Sequence, residues 1–321
     1  MSERRNSEAG LIDGLTASLG GPRTTALLER LSTAVDWEKL AAPIRALPEY
    51  RNEGPGRRPW SASLMLRAVM LAKWFNLSDQ QLEECLQDRL SFRRFVGLSL
   101  TDATPDETTF VRFRTRLRDA GLHDAVFRGV VAQLDAKGLL VREGVAVDAT
   151  VIEQSRGVRP GDGGSRDPEA SFTKKNGRTS FGYKGHIACD RSGIVVAWTC
   201  STAREHDGVH LDALVKGETR AVFADALYDS GPRREALRAR GVLDGIIYQR
   251  RRGQKKLHPW QAAWNAFVAP LRAVVEHPFA MLKHQMGLRR ARYRGLERTS
   301  FDFALSLAAA NIRRSLSLTP A

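Results

Sequence analysis

Near residue 140 the hydrophobic period of this chain changes, and that change limits what it can fold into. Before it, apolar residues recur at helical spacing in TTALLERLSTAVDW, in DWEKLAAPIRALP, which closes on Pro48, and, after the Pro- and Gly-rich break NEGPGRRP, in SASLMLRAVMLAKWFN. Ser78 with Gln81 predicts a capping box opening the next helix. Thr104 as N-cap, with Pro105 at the first helical position, predicts another over 105–120. HDAVFRGVVAQLDAKG completes the set. From Val141 the pattern is strand-like: VREGVAVDATVI reads as a buried strand, and GYKGHIACDRSGIVVAWTCSTA as a hairpin turning at 190–193. A helix (GVHLDALVKGE), a strand (AVFADALY), a helix from Pro232, a strand (VLDGIIYQR) and a long basic helix follow.

Short helices with tight connections predict a helical, helix-turn-helix-like domain over residues 1–138. The order strand, hairpin, helix, strand, helix, strand, helix predicts a ribonuclease H-like α+β domain over 139–321, a mixed sheet flanked by helices. In such a sheet the ends of the first and fourth strands lie side by side.

Charge points to a polyanionic partner. The formal net charge is +14, with a pI near 10.2. Within 250–298 twelve Lys or Arg stand against two acids, Glu276 and Glu297, so the local net is +10. Cations gathered in this way suit a phosphate backbone, where each neutralised phosphate releases counterions. Three cysteines without CxxC spacing exclude a disulfide scaffold and a zinc motif, and fit a reducing compartment. No run of about 18 apolar residues suggests a membrane span, and MSERRNSEAG lacks a signal-peptide core, so the expectation is a cytoplasmic, nucleoid-associated protein.

Three acids stand out. Asp148 and Asp225 each end an apolar, strand-like run, and Glu276 lies in the basic segment APLRAVVEHPFAMLKHQMG. At about 100° per residue, Arg272, Glu276 and Lys283 fall within roughly 40° of one line on a helix. A carboxylate between two cations suits a site that handles metal and phosphate together, and a metal removes the cost of burying carboxylates at strand ends. Pro278 cannot donate to the carbonyl of Val274, which predicts a kink just past Glu276.

Other segments carry weaker signals. Residues 154–180 are long, polar and Gly-rich, and with Arg156, Arg159, Lys174, Lys175 and Arg178 they read either as a mobile basic flap or as an insertion without a role. GLRRARYRGLER presents Arg289, Arg290, Arg292 and Arg294 as a phosphate-binding strip, with a solvated charged face the alternative. Arg112, Arg114, Arg116 and Arg118 make helix 105–120 a DNA-facing element, unless it is an ordinary amphipathic helix with Phe110, Phe113 and Leu117 in the core. Lys184 and His186, beside the predicted sheet edge, read either as groups that would meet a phosphate or, for the histidine, as an ordinary structural residue. Asp207 reads as a helix N-cap. His206 and His210 lack the context of a zinc site. Trp74, Trp198, Trp260 and Trp264 read as core, although the last two, in the basic linker, suit stacking on a splayed base.

Taken in order, VAVDATVIEQS, DPEASFTKKNGRTSFGYKGH, ADALYDS and LRAVVEHPFAMLK followed by GLRRARYRGLER resemble the DDE transposases of bacterial insertion sequences, in the IS-five family. RRPWSASLMLRAVMLAKWFNLSDQQLEE through TPDETTFVRFRTRL is similar to that family's N-terminal domain, so the resemblance spans roughly 40–315. Two places depart from the family pattern. Ala269 stands where a tyrosine usually precedes the arginine by three residues, and Leu227 precedes Tyr228 where a glycine is common. The resemblance implies Asp148, Asp225 and Glu276 as catalytic acids and metal ligands for two Mg²⁺ ions, Mn²⁺ substituting, with Arg272 and Lys283 on phosphates. It implies as partners the element's inverted repeats and target DNA, engaged by a dimer or higher oligomer. Two alternatives keep the fold: a DNA-binding relic that has lost catalysis, and a nuclease that cuts without joining.

Overall fold

The computed structural model describes residues 23–51, 58–155, 167–175, 177–215 and 219–319, the side chain of Lys175 excepted. These form two compact units. One takes the described residues up to Leu134 together with those from Ala308, and the other is Asp135–Leu307.

The first unit is helical: α1 (Arg23–Ala34), α2 (Trp37–Arg45), α3 (Pro48–Arg51), α4 (Ala62–Trp74), α5 (Asp79–Asp88), α6 (Leu90–Val96), α7 (Glu107–Asp119) and α8 (Leu122–Ala136). Helix α4 is apolar nearly all round and is buried almost throughout, as a central helix must be. Trp37, Trp74 and Phe95 meet edge to face at 5.7–6.2 Å between centroids, with the Arg67 guanidinium over Trp37 and Phe95. The Ser78–Gln81 capping box opens α5 as expected. Helix α7 starts two residues later than Thr104 suggests, because Asp106 is the N-cap and accepts from Thr109 N. The C-terminal end of the chain, assigned by sequence to the second half, groups here instead, where Trp74 Nε1 donates to Ala309 O at 2.8 Å.

The second unit is built on one mixed sheet: β1 (Val145–Glu153), β2 (Ser171–Lys175), β3 (Arg178–Asp190), β4 (Val195–Thr202), β5 (Ala221–Ala224) and β6 (Leu243–Ile246). β3 is antiparallel to β1 on one side and to β4 and β2 on the other, each along a different stretch. β1, β5 and β6 run parallel. These are the strand order and directions of a ribonuclease H-like sheet, as the sequence order predicts. Around it lie α9 (Leu211–Leu214), α10 (Gly231–Ala239), α11 (Pro259–Ala273), α12 (Glu276–His284) and the start of α13 (Leu296–Leu318).

One face of the sheet offers Val145, Val147, Ala188, Val222, Ala224 and Ile246 to Leu211, Leu214 and Leu237. Strand periodicity turns the alternate residues, Asp148 among them, to the other face. There α11 packs on β1 and β5, and Gly185 lies so close under Phe303 of α13 that a Cβ would stand 2.5 Å from its ring.

Two expectations are corrected. Residues 154–180 are not a structureless loop, since 171–175 and 178–180 pair as a β-hairpin; Arg156, Arg159 and the rest of 156–166, with 176, lie outside the described residues. The basic segment is not one helix kinked past Glu276. It breaks before that residue, at Val274 and Val275, and restarts with Glu276 as the first residue of α12. The ring of Pro278 displaces the carbonyl four residues earlier, Val274, and His277 N turns to that carbonyl at 3.2 Å instead.

Candidate active site

Strand register brings the first two acids together. Val147 and Ala224 are partners in the parallel β1–β5 ladder, so the next residue on each strand, Asp148 and Asp225, leaves the sheet on the same face and on adjacent strands, about 5 Å apart in backbone. Seventy-six residues intervene in sequence. Asp148 is partly buried: one carboxylate oxygen accepts from Ala149 N at 2.7 Å and the other from Arg272 at 3.3 Å. Asp225 sits at the N-cap of the 3₁₀ turn Ala226–Tyr228 in extended conformation and makes no side-chain capping bond.

Arg272 joins the third acid to the first. Its guanidinium lies 3.3 Å from Asp148 and 3.5 Å from Glu276, one helical turn further on. Glu276 is the most open of the acids, its side chain 67% exposed, whereas those of Arg272 and Asp148 are 21% and 20%. As the first residue of α12 it stands where the helix macrodipole favours an anion. The break at 274–275 therefore keeps the Arg272–Glu276 pair and re-aims the rest of α12, whose last turn carries the half-buried Lys283.

Beneath this carboxylate edge lies a sealed polar layer. Tyr228, three residues after Asp225, is fully buried, and its hydroxyl has no hydrogen-bond partner among the described residues. Burial raises its pKa, and the charges of Asp207, Asp148 and Asp225 raise it further. Lys184, expected on DNA, is instead paired with Asp207 at 2.8 Å and donates to Glu205 O. Its side chain is only 13% exposed, so the expected phosphate contact is not available. His186 is wholly buried, bonded to Ser201 Oγ at 2.8 Å and stacked on His210 at 4.2 Å. Burial, then His210, push its pKa down to about 3, so it is a neutral structural histidine. The helix cap is His206, which accepts from Gly208 N, and not Asp207.

The remaining cations fall into three groups. Arg289, Arg290, Arg292 and Arg294 are exposed on the turn between α12 and α13, and Arg290 forms a parallel bridge with Glu153 at the end of β1. Lys174 is exposed on β2; the backbone of Lys175 pairs with Arg178, and its side chain lies outside the described residues. In the helical unit, Arg112 and Arg116 are exposed along α7 and line a cleft of about 230 Å³ with Tyr50, Arg58 and Trp60, Arg116 lying 3.4 Å from Glu49. Arg114 is turned inward, its guanidinium forked onto Asp79, while Phe110, Phe113 and Leu117 fill the core. Helix α7 is thus amphipathic with a cationic outer edge, and both sequence readings hold for different residues. Trp74 is core, but Trp260 is 53% exposed and the core reading fails for it.

Sequence reasoning missed Arg234. Buried on α10, it spans Asp229 and Asp244 at 2.8 Å each, donates to Ile246 O and lies 3.7 Å over Tyr248. Asp229, four residues past Asp225, is thereby held to the sheet. The nearest signal is the helix predicted from Pro232, PRREALRARG, in which no local spacing links Arg234 to Asp229 or Asp244.

Among the described residues no three His, Cys, Asp or Glu side chains converge closely enough to enclose a metal ion. The donors Asp148, Asp225 and Glu276 are nevertheless all carboxylates, the hard oxygen ligands that Mg²⁺ takes, and the position between Asp148 and Glu276 is already held by a cation, the Arg272 guanidinium. The residues fit a hard divalent metal.

A family model described as "Transposase DDE domain" matches residues 140–312, and one described as "Transposase domain (DUF772)" matches 21–116. Among solved structures, the chain is similar to one titled "Cryo-EM structure of piggyBac transposase synaptic complex with hairpin DNA (SNHP)", at 11% identity and a TM-score of 0.46, covering 91% of this chain and 75% of that one.

Proposed function

Since the chain belongs to the family of transposases with a DDE domain, an enzyme family that works with divalent metal ions, we propose that it cleaves and joins DNA at the inverted repeats of its own element, using Asp148, Asp225 and Glu276. The observation that carries this reading is the Val147–Ala224 register together with the Arg272 bridge from Asp148 to Glu276. Together they bring acids far apart in sequence into one neighbourhood, which supports their use as one site.

When bound, two Mg²⁺ ions would lower the pKa of an attacking water and stabilise the charge on the leaving oxygen. The three carboxylates are the ligands that would hold them. Arg272, released from Asp148 in that event, is placed to neutralise a phosphate, and Lys283 supplies a second cation. In the first step water adds to the phosphate at the element's end and the P–O3′ bond breaks, leaving a 3′-hydroxyl. In the second, that hydroxyl adds to a target phosphate and displaces the target's own 3′-oxygen, so the number of phosphodiesters is conserved and no covalent enzyme adduct forms. Two ends must meet for joining, which favours a dimer or higher assembly on double-stranded DNA. Arg289, Arg290, Arg292 and Arg294, with Lys174, Lys175, Arg112 and Arg116, serve the backbone and not the bases.

The test combines purified protein, Mg²⁺ and a labelled duplex carrying the DNA that flanks the gene. Wild type should yield cut ends and joined products, while Asp225→Asn and Glu276→Gln should bind with wild-type affinity and lose cutting by about 10³-fold or more. Binding without cutting by wild type would leave only a DNA-binding relic, and cutting without joining a nuclease.

A further inference from the structure

The short acidic segment 167–170, which precedes β2, is bound to the far end of the same unit. Asp167 is 2% exposed. It accepts from Tyr183 Oη at 2.7 Å, Gln154 Nε2 at 2.8 Å, Gly295 N at 3.1 Å and, through its other oxygen, Glu169 N at 3.3 Å. Glu169 accepts from Leu296 N at 2.6 Å, and Gln154 Nε2 donates again to Tyr293 O at 2.9 Å. Glu153 joins the same edge through its backbone, N to Arg289 O at 3.0 Å and O from Ala291 N at 2.8 Å.

These bonds do two things. Helix α13 opens at Leu296 after Gly295, which has a φ of +90° and no side chain to cap with. The first amides of a helix need acceptors and its N-terminus favours anions, and Asp167 and Glu169 supply both from another part of the chain. The bonds also tie the turn before α13 down on its inner side, while Arg289, Arg290, Arg292 and Arg294 point outward. A buried carboxylate is costly to fold around unless its lone pairs are filled, and here four donors fill them.

We infer that Asp167 is a positioning residue: with Tyr183 and Gln154 it clamps the turn 289–295 to the end of β1, so that the exposed arginines form one fixed phosphate-binding edge on the strand that carries Asp148. The inference rests on the reading of that strip as a DNA contact. The segment expected to be a basic flap thus carries an acidic clasp at its middle, and the clasp acts through the arginines without touching DNA.

The experiment measures affinity of the full chain for a labelled duplex of arbitrary sequence across a salt series. Asp167→Ala should lower the slope of log affinity against log salt by about two to three, since each lost phosphate contact removes roughly 0.9, and weaken binding at low salt by about ten-fold or more. Replacing Arg290, Arg292 and Arg294 together by alanine should give the same loss, and adding Asp167→Ala to that triple variant should give no more. An unchanged slope, or losses that add, would overturn the proposal. Tyr183→Phe, which removes one donor and keeps the carboxylate, guards against misfolding. In it, amide exchange at Gly295 and Leu296 should accelerate at least about ten-fold while that at Val147 stays slow; exchange unchanged at Gly295 overturns the clasp. This second arm needs no DNA, so a wild type without DNA affinity would sink the DNA-binding reading and leave the clasp to be judged on exchange alone.

Discussion

Arg272 donates to Asp148 across 124 positions of sequence, at 3.3 Å, while holding Glu276 at 3.5 Å in the next turn of its own segment. A guanidinium shared by two carboxylates occupies the place between them that a divalent cation would compete for. On the proposed function the same residue would both hold Asp148 and Glu276 together and yield between them when a metal binds.

That competition has a measurable consequence. Arg272→Ala should bind Mn²⁺ more tightly than wild type, by a few-fold, because no cation has to leave Asp148 first, yet its strand cleavage should fall by about ten-fold or more through the lost phosphate contact. Calorimetric titration with Mn²⁺ beside a cleavage assay separates the two effects. Weaker metal binding in the variant would mean that Arg272 orders the acids and does not compete.

Arg234 predicts a purely structural loss. Its side chain is 7% exposed and that of Asp244 5%, so Arg234→Met leaves the buried Asp244 with only the exposed Arg238, at 3.4 Å, as its cation, and should cost up to about 3–5 kcal/mol. Adding Asp244→Leu should recover a large part, because the stranded carboxylate is then removed as well. Denaturant unfolding decides, and a single-variant loss under about 1 kcal/mol would show that water reaches Asp244 and solvates it.

His186 predicts an acid limb. Its folded pKa lies below the unfolded value of 6.5 because burial and His210 oppose its charge. A group depressed in this way contributes stability that is present above the unfolded pKa and is lost as pH falls from about 6.5 towards the folded value. His186→Gln cannot take up that proton, so its melting temperature should fall less than that of wild type between pH 7 and pH 4. Parallel acid limbs would show that His186 does not drive the loss.

Packing between α13 and the sheet predicts a repairable clash. In Gly185→Ala the new methyl would stand 2.5 Å from the Phe303 ring, an overpacking that typically costs about 1–3 kcal/mol. Phe303→Leu, harmful alone, should be less harmful in the Gly185→Ala background, so the double variant should be more stable than the sum of the singles predicts. Strict additivity would mean that the ring moves aside without cost.

The segments with strong local signals were legible from residues alone. The change of period near 140, the Ser78–Gln81 box, the hairpin at 190–193 and the amphipathic core of α7 depend on neighbours a few positions away, and chain sterics decide them. The pairing of Glu276 with Arg272, one helical turn apart, was legible too, whereas the apolar run before Asp148 reads as ending there and the strand in fact continues to Glu153. Tertiary contact decided what those residues touch. Lys184 and Arg114 read as free cations, yet each meets a carboxylate, Asp207 and Asp79, that no spacing rule connects to it. Asp167 reads as part of a polar loop and becomes a buried acceptor only because the turn before α13 folds back onto the end of β1. Periodicity and capping are local energies and are written in order along the chain; whether a charge is solvated, paired or buried depends on which distant segment comes to lie over it, and only the folded chain determines that.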